Sequence, residues 1–215
     1  KKNIRFLEEL SNKAFDIVCE TLPVIRNLDK INGLERDFCI IAPGTSAAVY
    51  QRRWPPERFA RVADEIHWKT GWQIVICGGP DEVVLGQKIE ASIKTSRCIN
   101  LVDKTSMQQF IEVIRCAKLL IGNETGCIHI AAAVSTASVS IVGGGVFGRF
   151  VPYDADLGKL KPPITVHHLM DCYDCRWNCI HKVGENLPFP CIDKVRDVDV
   201  LKAISSQIDL VEFKK

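Results

Sequence analysis

The sequence predicts an α/β fold with a doubly wound parallel sheet. Short apolar runs alternate with amphipathic helical segments along most of the chain, as is typical of strand–helix–strand units. The runs are largely apolar, which indicates strands covered on both faces by helices. Turns rich in Gly, Ser, Thr or carboxylates follow these runs.

The predicted strands end at turn residues. The first ends at Pro43-Gly44 and the second at Gly78-Gly79-Pro80. The runs are Phe38–Ala42, Gln73–Cys77, Ile99–Val102, Leu119–Ile121, Ala137–Val142 and Ile164–Val166. Joined by right-handed crossovers, they form a Rossmann-like sheet, in which ligands bind beyond the carboxyl ends of the strands.

The predicted helices carry local start and stop signals. Pro55-Pro56 opens a helix that Gly71 ends, because proline suits a first helical turn. Ser106 and Gln109 have the spacing of a capping box and open another. Further helices are expected up to about Lys94, over Cys127–Val134, and from Asp197 to about Leu210.

The length is that of one domain with attached segments. At ~150 residues per domain, 215 residues correspond to one well-developed domain plus an attachment, or to a piece of a longer chain, which the absent initial Met also suggests. We expect a helix and linker over 1–37, a Rossmann-like domain over 38–170, and a Cys-rich segment with a C-terminal helix over 171–215.

The composition excludes several classes of protein. The hydrophobic fraction of 47% excludes global disorder. With 28 basic and 26 acidic residues, the net charge of +2 is too weak for a general nucleic-acid or membrane-surface binder. No apolar run approaches the ~18–20 residues that a membrane-spanning helix needs.

The run Gly143–Gly148 matches the G-x-G-x-x-G dinucleotide fingerprint literally. The fingerprint also requires a helix to open at this point, with its N-terminus toward the pyrophosphate. Pro152 argues against such a helix. We therefore interpret the run as a flexible glycine loop rather than an NAD or FAD site.

Two other loops have the chemistry of a phosphate site. Gly122–Gly126 leads into a helix, whose free N–H groups attract anions. Glu124 beside it can accept hydrogen bonds from sugar hydroxyls, and the helix N-terminus favours its ionised form. Thr45-Ser46 with Arg52-Arg53 suits a diphosphate. The alternative for the first loop is an ordinary capped turn, with His129 as a packing residue. The alternative for the second is a solvated loop with surface arginines.

Nine of the ten cysteines fall into two groups. Cys39, Cys77, Cys98, Cys116 and Cys127 stand singly in apolar surroundings, as small buried hydrophobes of a reducing compartment do. Cys172, Cys175, Cys179 and Cys191 form a cluster whose spacing suits a structural zinc ion, with His167, His168 and His181 nearby. Free or packed thiols are the alternative for this cluster.

Taken in order, a set of motifs resembles the C-terminal half of glycosyltransferase family 9, the ADP-heptose:lipopolysaccharide heptosyltransferases. The resemblance covers roughly residues 38–205. The motifs are Pro43-Gly44-Thr45, Arg52-Arg53-Trp54-Pro55-x-Glu57-x-Phe59-Ala60, Gly78-Gly79-Pro80-x-Glu82, Asn100-Leu101, Thr105-Ser106 and Gly122-Asn123-Glu124-Thr125-Gly126-x-x-His129-x-Ala131-Ala132.

The resemblance implies the C-terminal domain of a GT-B glycosyltransferase, which binds the nucleotide-sugar donor for an inverting transfer without an obligatory metal or cofactor. Thr45 and Ser46 would touch the donor phosphates, and Arg52 would stabilise the leaving diphosphate. Glu82 would hold the ribose. Thr105 and Ser106 would lie by the nucleobase. The residues at the sugar and diphosphate would be Glu124, Thr125, Gly126 and the neighbouring His129.

The chain departs from the family pattern in four respects. The loop before Arg52 is slightly longer, and Arg52 stands where the family has lysine, which keeps the charge but changes its geometry. Glu124 replaces the usual Asp, which bears on whether the sugar is heptose. An N-terminal domain of the family, with the acceptor site and the catalytic base, is expected to be missing.

The expected function is transfer of a sugar, heptose by resemblance, from ADP-heptose to a lipopolysaccharide-core-type acceptor. This chain would supply the donor-binding half and be inactive alone. The lipid-linked acceptor would bind through the missing domain, at the inner face of the bacterial inner membrane on the cytoplasmic side. Alternatives are another GT-B enzyme, such as a sugar-nucleotide epimerase, or a non-catalytic nucleotide-sugar-binding module.

Overall fold

The computed structural model describes residues 31, 33–45, 49–153 and 161–208. Six parallel strands form one sheet in the order β3-β2-β1-β4-β5-β6. The strands are β1 (Phe38–Ala42), β2 (Gln73–Ile76), β3 (Cys98–Asn100), β4 (Leu119–Asn123), β5 (Ser138–Ile141) and β6 (Ile164–Val166). The predicted doubly wound, Rossmann-like sheet is therefore confirmed.

The helices connect these strands. They are α1 (Pro56–Thr70), α2 (Val83–Ser92), α3 (Met107–Cys116), α4 (Gly126–Ala133), α5 (Pro190–Asp193) and α6 (Asp197–Gln207). Short 3-10 turns cover Tyr50–Arg52, Pro80–Glu82 and Gly144–Val146. The helix α5 was not predicted, because four residues are too few to show a helical pattern.

The predicted helix signals act as expected. Gly71 ends α1 with φ of 72°, in the left-handed region that glycine adopts without a steric penalty. The Ser106 hydroxyl accepts a hydrogen bond from the Gln109 N–H at 3.2 Å, and the Gln109 side chain accepts from the Ser106 N–H at 2.9 Å. Both proposed ends of the capping box are thus present.

Alternate residues of the strands enter two separate cores. Cys39 and Ile41 of β1 face the core built with α1, α2 and α6, whereas Phe38 and Ile40 face the core built with α3 and α4. All four side chains are 0–1% exposed. Burial of both sheet faces explains why β1 is an unbroken apolar run. Since Val200 and Ile204 of α6 enter the first core, the C-terminal helix packs with the sheet.

The strand order reverses between β1 and β4, which lie side by side with Ala42 opposite Gly122. The loops after these two strands diverge to opposite halves of the sheet and leave a crevice at their carboxyl ends. In sheets of this topology, ligands bind in that crevice. Both loops singled out in the sequence as phosphate sites begin here.

The glycine loop is packed rather than flexible, so that interpretation was wrong. Its three consecutive glycines lie under aromatic rings of the Cys-rich segment: a Cβ on Gly144 would come within 2.2 Å of the Tyr173 ring, and one on Gly145 within 2.2 Å of the Trp177 ring. A 3-10 turn, not an α-helix, follows the first glycine. The dinucleotide fingerprint therefore lacks its helix, as Pro152 indicated.

Within the part of the chain that the structure describes, no helix is long and apolar enough to cross a membrane. Most of the predicted segment 1–37, the residue Ser46, and the end of the last predicted helix at Leu210 lie outside the described residues.

Candidate functional site

Two neighbouring cavities open at the carboxyl ends of β1 and β4. We call them the Arg52 cavity, of about 420 Å³, and the Glu82 cavity, of about 300 Å³. Thr125, at the start of α4, lines both. Each has the size of a small-molecule site, and the two adjoin at Thr125 in a groove at the switch point of the sheet.

The Arg52 cavity contains most of the predicted phosphate and sugar residues. Its lining is polar near α4 and apolar on the opposite wall, which the sequence did not predict. The lining residues are Thr45, Arg52, Glu124, Thr125, Gly126, His129, Ile141, Gly143, Val146, Phe150, Trp177 and Ile192. Residues from five separate segments therefore converge on one cavity.

The Glu82 cavity is mostly apolar, as suits a planar heterocycle. Glu82 and Thr105, both predicted to contact the nucleoside, line it together with Met107 and Phe110. Ser106, predicted beside them, is not among the lining residues; its hydroxyl is the N-cap of α3, as the capping-box spacing predicted. The cap explains this placement, because a hydroxyl at that position satisfies an otherwise unpaired helix N–H.

Arg52 points into its cavity from the last residue of a 3-10 turn. Its guanidinium carbon lies 4.2 Å from the centroid of the Trp177 ring. The Nε atom is buried and has no hydrogen-bond partner among the described residues. Burial lowers the pKa of Arg52, and the nearby Glu124 carboxyl partly opposes this effect. Arg52 is thus a cation held at a cavity wall with unused donor capacity.

Glu124 faces the same cavity in a partly desolvated position. Burial raises the pKa of its carboxyl to about 7, although the charge of Arg52 acts in the opposite direction. This direction opposes the expectation that the helix N-terminus keeps Glu124 ionised. The penalty for removing the carboxylate from water exceeds the attraction of Arg52.

The adjacent Arg53 has a different role from Arg52. Its Nε donates to the Thr45 hydroxyl at 3.2 Å, and a terminal nitrogen donates to the Thr45 carbonyl at 3.5 Å. The Arg53 guanidinium also lies 5.4 Å from the Tyr50 ring centroid. Arg53 braces the loop after β1, whereas Arg52 faces the cavity.

The Glu82 carboxylate lies against the backbone at Gly79 and Gly44. Its Oε2 accepts a hydrogen bond from the Gly79 N–H at 2.7 Å, and a Cβ on Gly44 would lie 1.7 Å from its Oε1. Burial raises the pKa of Glu82, while the Gly79 bond and the charge of Arg53 lower it. Only glycine at position 44 leaves room for this carboxylate.

His129 faces the Arg52 cavity from the first turn of α4. Its Nδ1 is hydrogen-bonded to the Tyr153 hydroxyl, and the two rings are stacked with centroids 5.7 Å apart. Burial lowers the pKa of His129, so the neutral ring is favoured at pH 7. His129 is a packed residue with access to the cavity.

The buried Asn123 holds the site together, and the sequence reasoning did not single it out. Its side-chain oxygen accepts from the Trp54 N–H at 3.1 Å, and its Nδ2 donates to the Pro43 carbonyl at 2.6 Å. Trp54 in turn donates from its indole to the Val195 carbonyl at 2.9 Å. The sequence signal for this role was a side-chain amide, that of Asn123, at the end of an apolar strand.

The thiols of the cysteine cluster share one small cavity of about 10 Å³. Cys172, Cys175, Cys179, Cys191 and His181 line it, and all four thiols are free. Burial raises the pKa of Cys191, and the three other thiols raise it further. Among the described residues, no three His, Cys, Asp or Glu side chains are placed to hold a metal ion.

The neighbouring histidines have other contacts. The rings of His167 and Phe147 lie 4.5 Å apart, and the His168 carbonyl accepts a bond from the Tyr173 hydroxyl at 2.7 Å. Of the single cysteines, Cys39, Cys77 and Cys127 are buried as predicted, whereas Cys98 is half-buried and Cys116 is exposed. Cys116 is the last residue of α3, where the helix ends at the protein surface.

Comparison with known proteins gives a consistent result. The family described as Glycosyltransferase family 9 (heptosyltransferase) matches residues 5–163. Lipopolysaccharide heptosyltransferase 2 of Escherichia coli is 30% identical over 112 residues, which are 51% of this chain and 32% of that protein. The chain thus aligns with about a third of the length of this curated relative.

Two solved structures share the fold. The E. coli ADP-heptose lipopolysaccharide heptosyltransferase II superposes with a TM-score of 0.64 at 20% identity, over 84% of this chain and 48% of that one. A family 9 glycosyltransferase from Veillonella parvula gives a TM-score of 0.64 at 25% identity, over 82% of this chain and 46% of that one. The chain described here therefore corresponds to about half of each solved structure.

Proposed function

The chain belongs to glycosyltransferase family 9, and on that premise we propose that it binds the nucleotide-sugar donor of a sugar transfer. The observation that carries the proposal is the groove at the switch point. In it, the Arg52 guanidinium and the start of α4 at Thr125-Gly126 face one cavity, and the apolar Glu82 cavity adjoins it. The diphosphate would lie in the first cavity and the nucleoside in the second.

The chemistry of sugar transfer explains what these groups would do. The leaving group is a nucleoside diphosphate, whose negative charge increases in the transition state. Fixed cations and backbone N–H groups stabilise such charge best when they are already oriented. Arg52 and the free N–H groups at Thr125 and Gly126 would act in this way. The base that deprotonates the acceptor hydroxyl would come from outside this chain.

The substrates are proposed from the relatives. Lipopolysaccharide heptosyltransferase names recur among the matches, so we take ADP-heptose as the donor and a lipid-linked core saccharide as the acceptor. The reaction would then occur at the inner face of the bacterial inner membrane. Glu124 in the Arg52 cavity would contact the sugar hydroxyls, and its extra methylene relative to Asp would set the depth of that subsite.

A first prediction separates donor binding from transfer. The 215-residue chain should bind ADP by calorimetry, more weakly UDP or GDP, and should transfer no sugar to a lipopolysaccharide-core acceptor. The physical reason is that the catalytic base and the acceptor site would lie outside this chain. Sugar transfer by this chain would contradict the division of roles, and a complete lack of nucleotide binding would refute the proposed function.

We further propose that the cysteine cluster binds one zinc ion. The support is the chemical nature of the donor set: four thiolates suit tetrahedral zinc, and the four cysteines already line a common cavity of about 10 Å³. The thiols would have to move closer together around the ion. Their role would be to fix the Cys-rich segment against the glycine loop.

A second prediction follows for the metal. Protein purified under reducing conditions without added metal should contain about one zinc per chain by elemental analysis. Cys175→Ser should lower that content and increase hydrogen exchange over residues 170–192, whereas Cys116→Ser, an exposed thiol elsewhere, should change neither. A metal-free protein with unchanged protection of this segment would identify the cysteines as packed thiols.

A further inference from the structure

Trp177 connects the Cys-rich segment to the Arg52 cavity. It lies between Cys175 and Cys179 in the sequence, and its ring lines both the Arg52 cavity and the thiol cavity. The Arg52 guanidinium carbon is 4.2 Å from the ring centroid, within the range of a cation–π contact. Trp177 is therefore in direct contact with the cation proposed to bind the diphosphate.

The position of the indole is set by its surroundings. The ring lies on the glycine loop so closely that a Cβ on Gly145 would be 2.2 Å from Trp177 Cδ2. The Phe189 ring is stacked beside it, with centroids 6.0 Å apart and an interplanar angle of 22°. The Arg176 N–H donates to the Gly145 carbonyl at 2.8 Å. The ring thus has little freedom to move away from Arg52.

The backbone that carries Trp177 is in an unfavourable conformation. Asp174, Arg176 and Trp177 have φ values of 62°, 49° and 67°, in the left-handed region that residues with a Cβ rarely adopt. Such residues persist where surrounding contacts over-determine them, and they concentrate at functional sites. Trp177 itself lines the Arg52 cavity, and the other two residues lie within three positions of it in the sequence.

From these contacts we infer that Trp177 is a positioning residue, which holds the Arg52 guanidinium toward the donor diphosphate and makes the Cys-rich segment a wall of the donor site. The inference rests on the proposed function. Because the Arg52 Nε has no hydrogen-bond partner among the described residues, the aromatic face restrains the arginine in its place. The contact of the guanidinium carbon with the ring face restrains Arg52 at the cavity wall, where its terminal N–H groups would meet phosphate oxygens.

The test measures ADP affinity by calorimetry in three variants of the 215-residue chain. Trp177→Leu should weaken binding about 3- to 30-fold, the equivalent of a partly desolvated cation–π contact. Trp177→Phe keeps an aromatic face and should remain within about 3-fold of wild type. The control Trp68→Leu removes a tryptophan that is 60% exposed on α1 and should have no effect.

The double variant Arg52→Ala/Trp177→Leu distinguishes positioning from general damage. If Trp177 acts through Arg52, the double variant should bind ADP no more weakly than Arg52→Ala alone. Additive losses would overturn the inference. Far-UV circular dichroism identifies a variant that fails to fold, and in that case Trp177→Phe and the spectroscopic readout below decide the question.

A readout without nucleotide is the Arg52 Nε–H proton in an NMR spectrum, assigned by its loss in Arg52→Lys. Held over the indole face, it should resonate upfield of other arginines, and the shift should shrink in Trp177→Phe. An unshifted resonance would overturn the inference. Equal ADP binding by wild type and Trp177→Leu would also overturn it, but would leave the proposed function intact. If the wild-type chain binds no ADP, the proposed function itself is wrong and the inference falls with it.

Discussion

Replacing Arg52 with alanine should weaken ADP binding by about 1.5–3 kcal/mol, or roughly 10- to 150-fold, the range for hydrogen bonds to charged groups. The expectation follows from a guanidinium at the wall of the Arg52 cavity, with a buried and unpartnered Nε. A diphosphate in the cavity would pair with that group, and no other arginine lines the cavity among the described residues.

The matched control is Arg53→Ala, one residue along the chain. Arg53 donates to Thr45 and braces the loop after β1, so its loss should reduce affinity by less than about 1 kcal/mol through loosened loop geometry. Arg52→Lys keeps the charge without the planar fork and should give an intermediate affinity. Equal losses at both arginines, or none at either, would show that the diphosphate binds elsewhere.

The variant Glu124→Gln should stabilise the folded protein at pH 8.5 but not at pH 4. Burial raises the pKa of Glu124 from the ordinary 4.5 to about 7 in the folded chain. Between these values the folded state holds a proton that the unfolded state has lost, so wild-type stability decreases as the pH rises through this window. Above about pH 7, the folded protein bears the full free-energy cost of a partly buried, ionised Glu124.

Because the amide side chain introduced by Glu124→Gln carries no charge, the variant escapes this penalty. After allowance for the partial exposure of the side chain, the gain in free energy of unfolding at pH 8.5 should be about 1–3 kcal/mol. Urea denaturation at several pH values measures it. The matched control is Glu185→Gln, which removes the same charge from an exposed side chain. A gain independent of pH would show that Glu124 acts through packing and not through its charge.

The sheet and the position of the site were predictable because they depend on short-range patterns. A strand buried on both faces tends to be apolar along its whole length, and the bounds of β1 were therefore predicted to the residue. The turn residues after β1 and β4 lie at the carboxyl ends of neighbouring parallel strands, so their convergence follows from topology. The capping pair Ser106 and Gln109 is likewise a local signal.

Several local interpretations were wrong or incomplete because they depended on distant contacts. The glycine run Gly143–Gly148 has the composition of a flexible loop, yet Tyr173 and Trp177 cover it from a segment some thirty residues away. Cys98 and Cys116 were expected to be buried like the other single cysteines, but Cys98 is half-buried and Cys116 is exposed. Which of these side chains is covered depends on parts of the chain that are distant in sequence.

The sequence by itself thus determined the α/β sheet, the family resemblance and the loops that carry Thr45, Arg52 and Glu124. Only the tertiary structure decided that Arg52 faces the cavity while Arg53 braces Thr45. It also placed the Trp177 ring against Arg52, 125 positions further along the chain, and buried Glu124 so that its pKa is raised. The reason is physical. The alternation of apolar runs with amphipathic segments is a property of the sequence itself. Desolvation and ring contacts instead depend on which side chains, distant in sequence, surround a group.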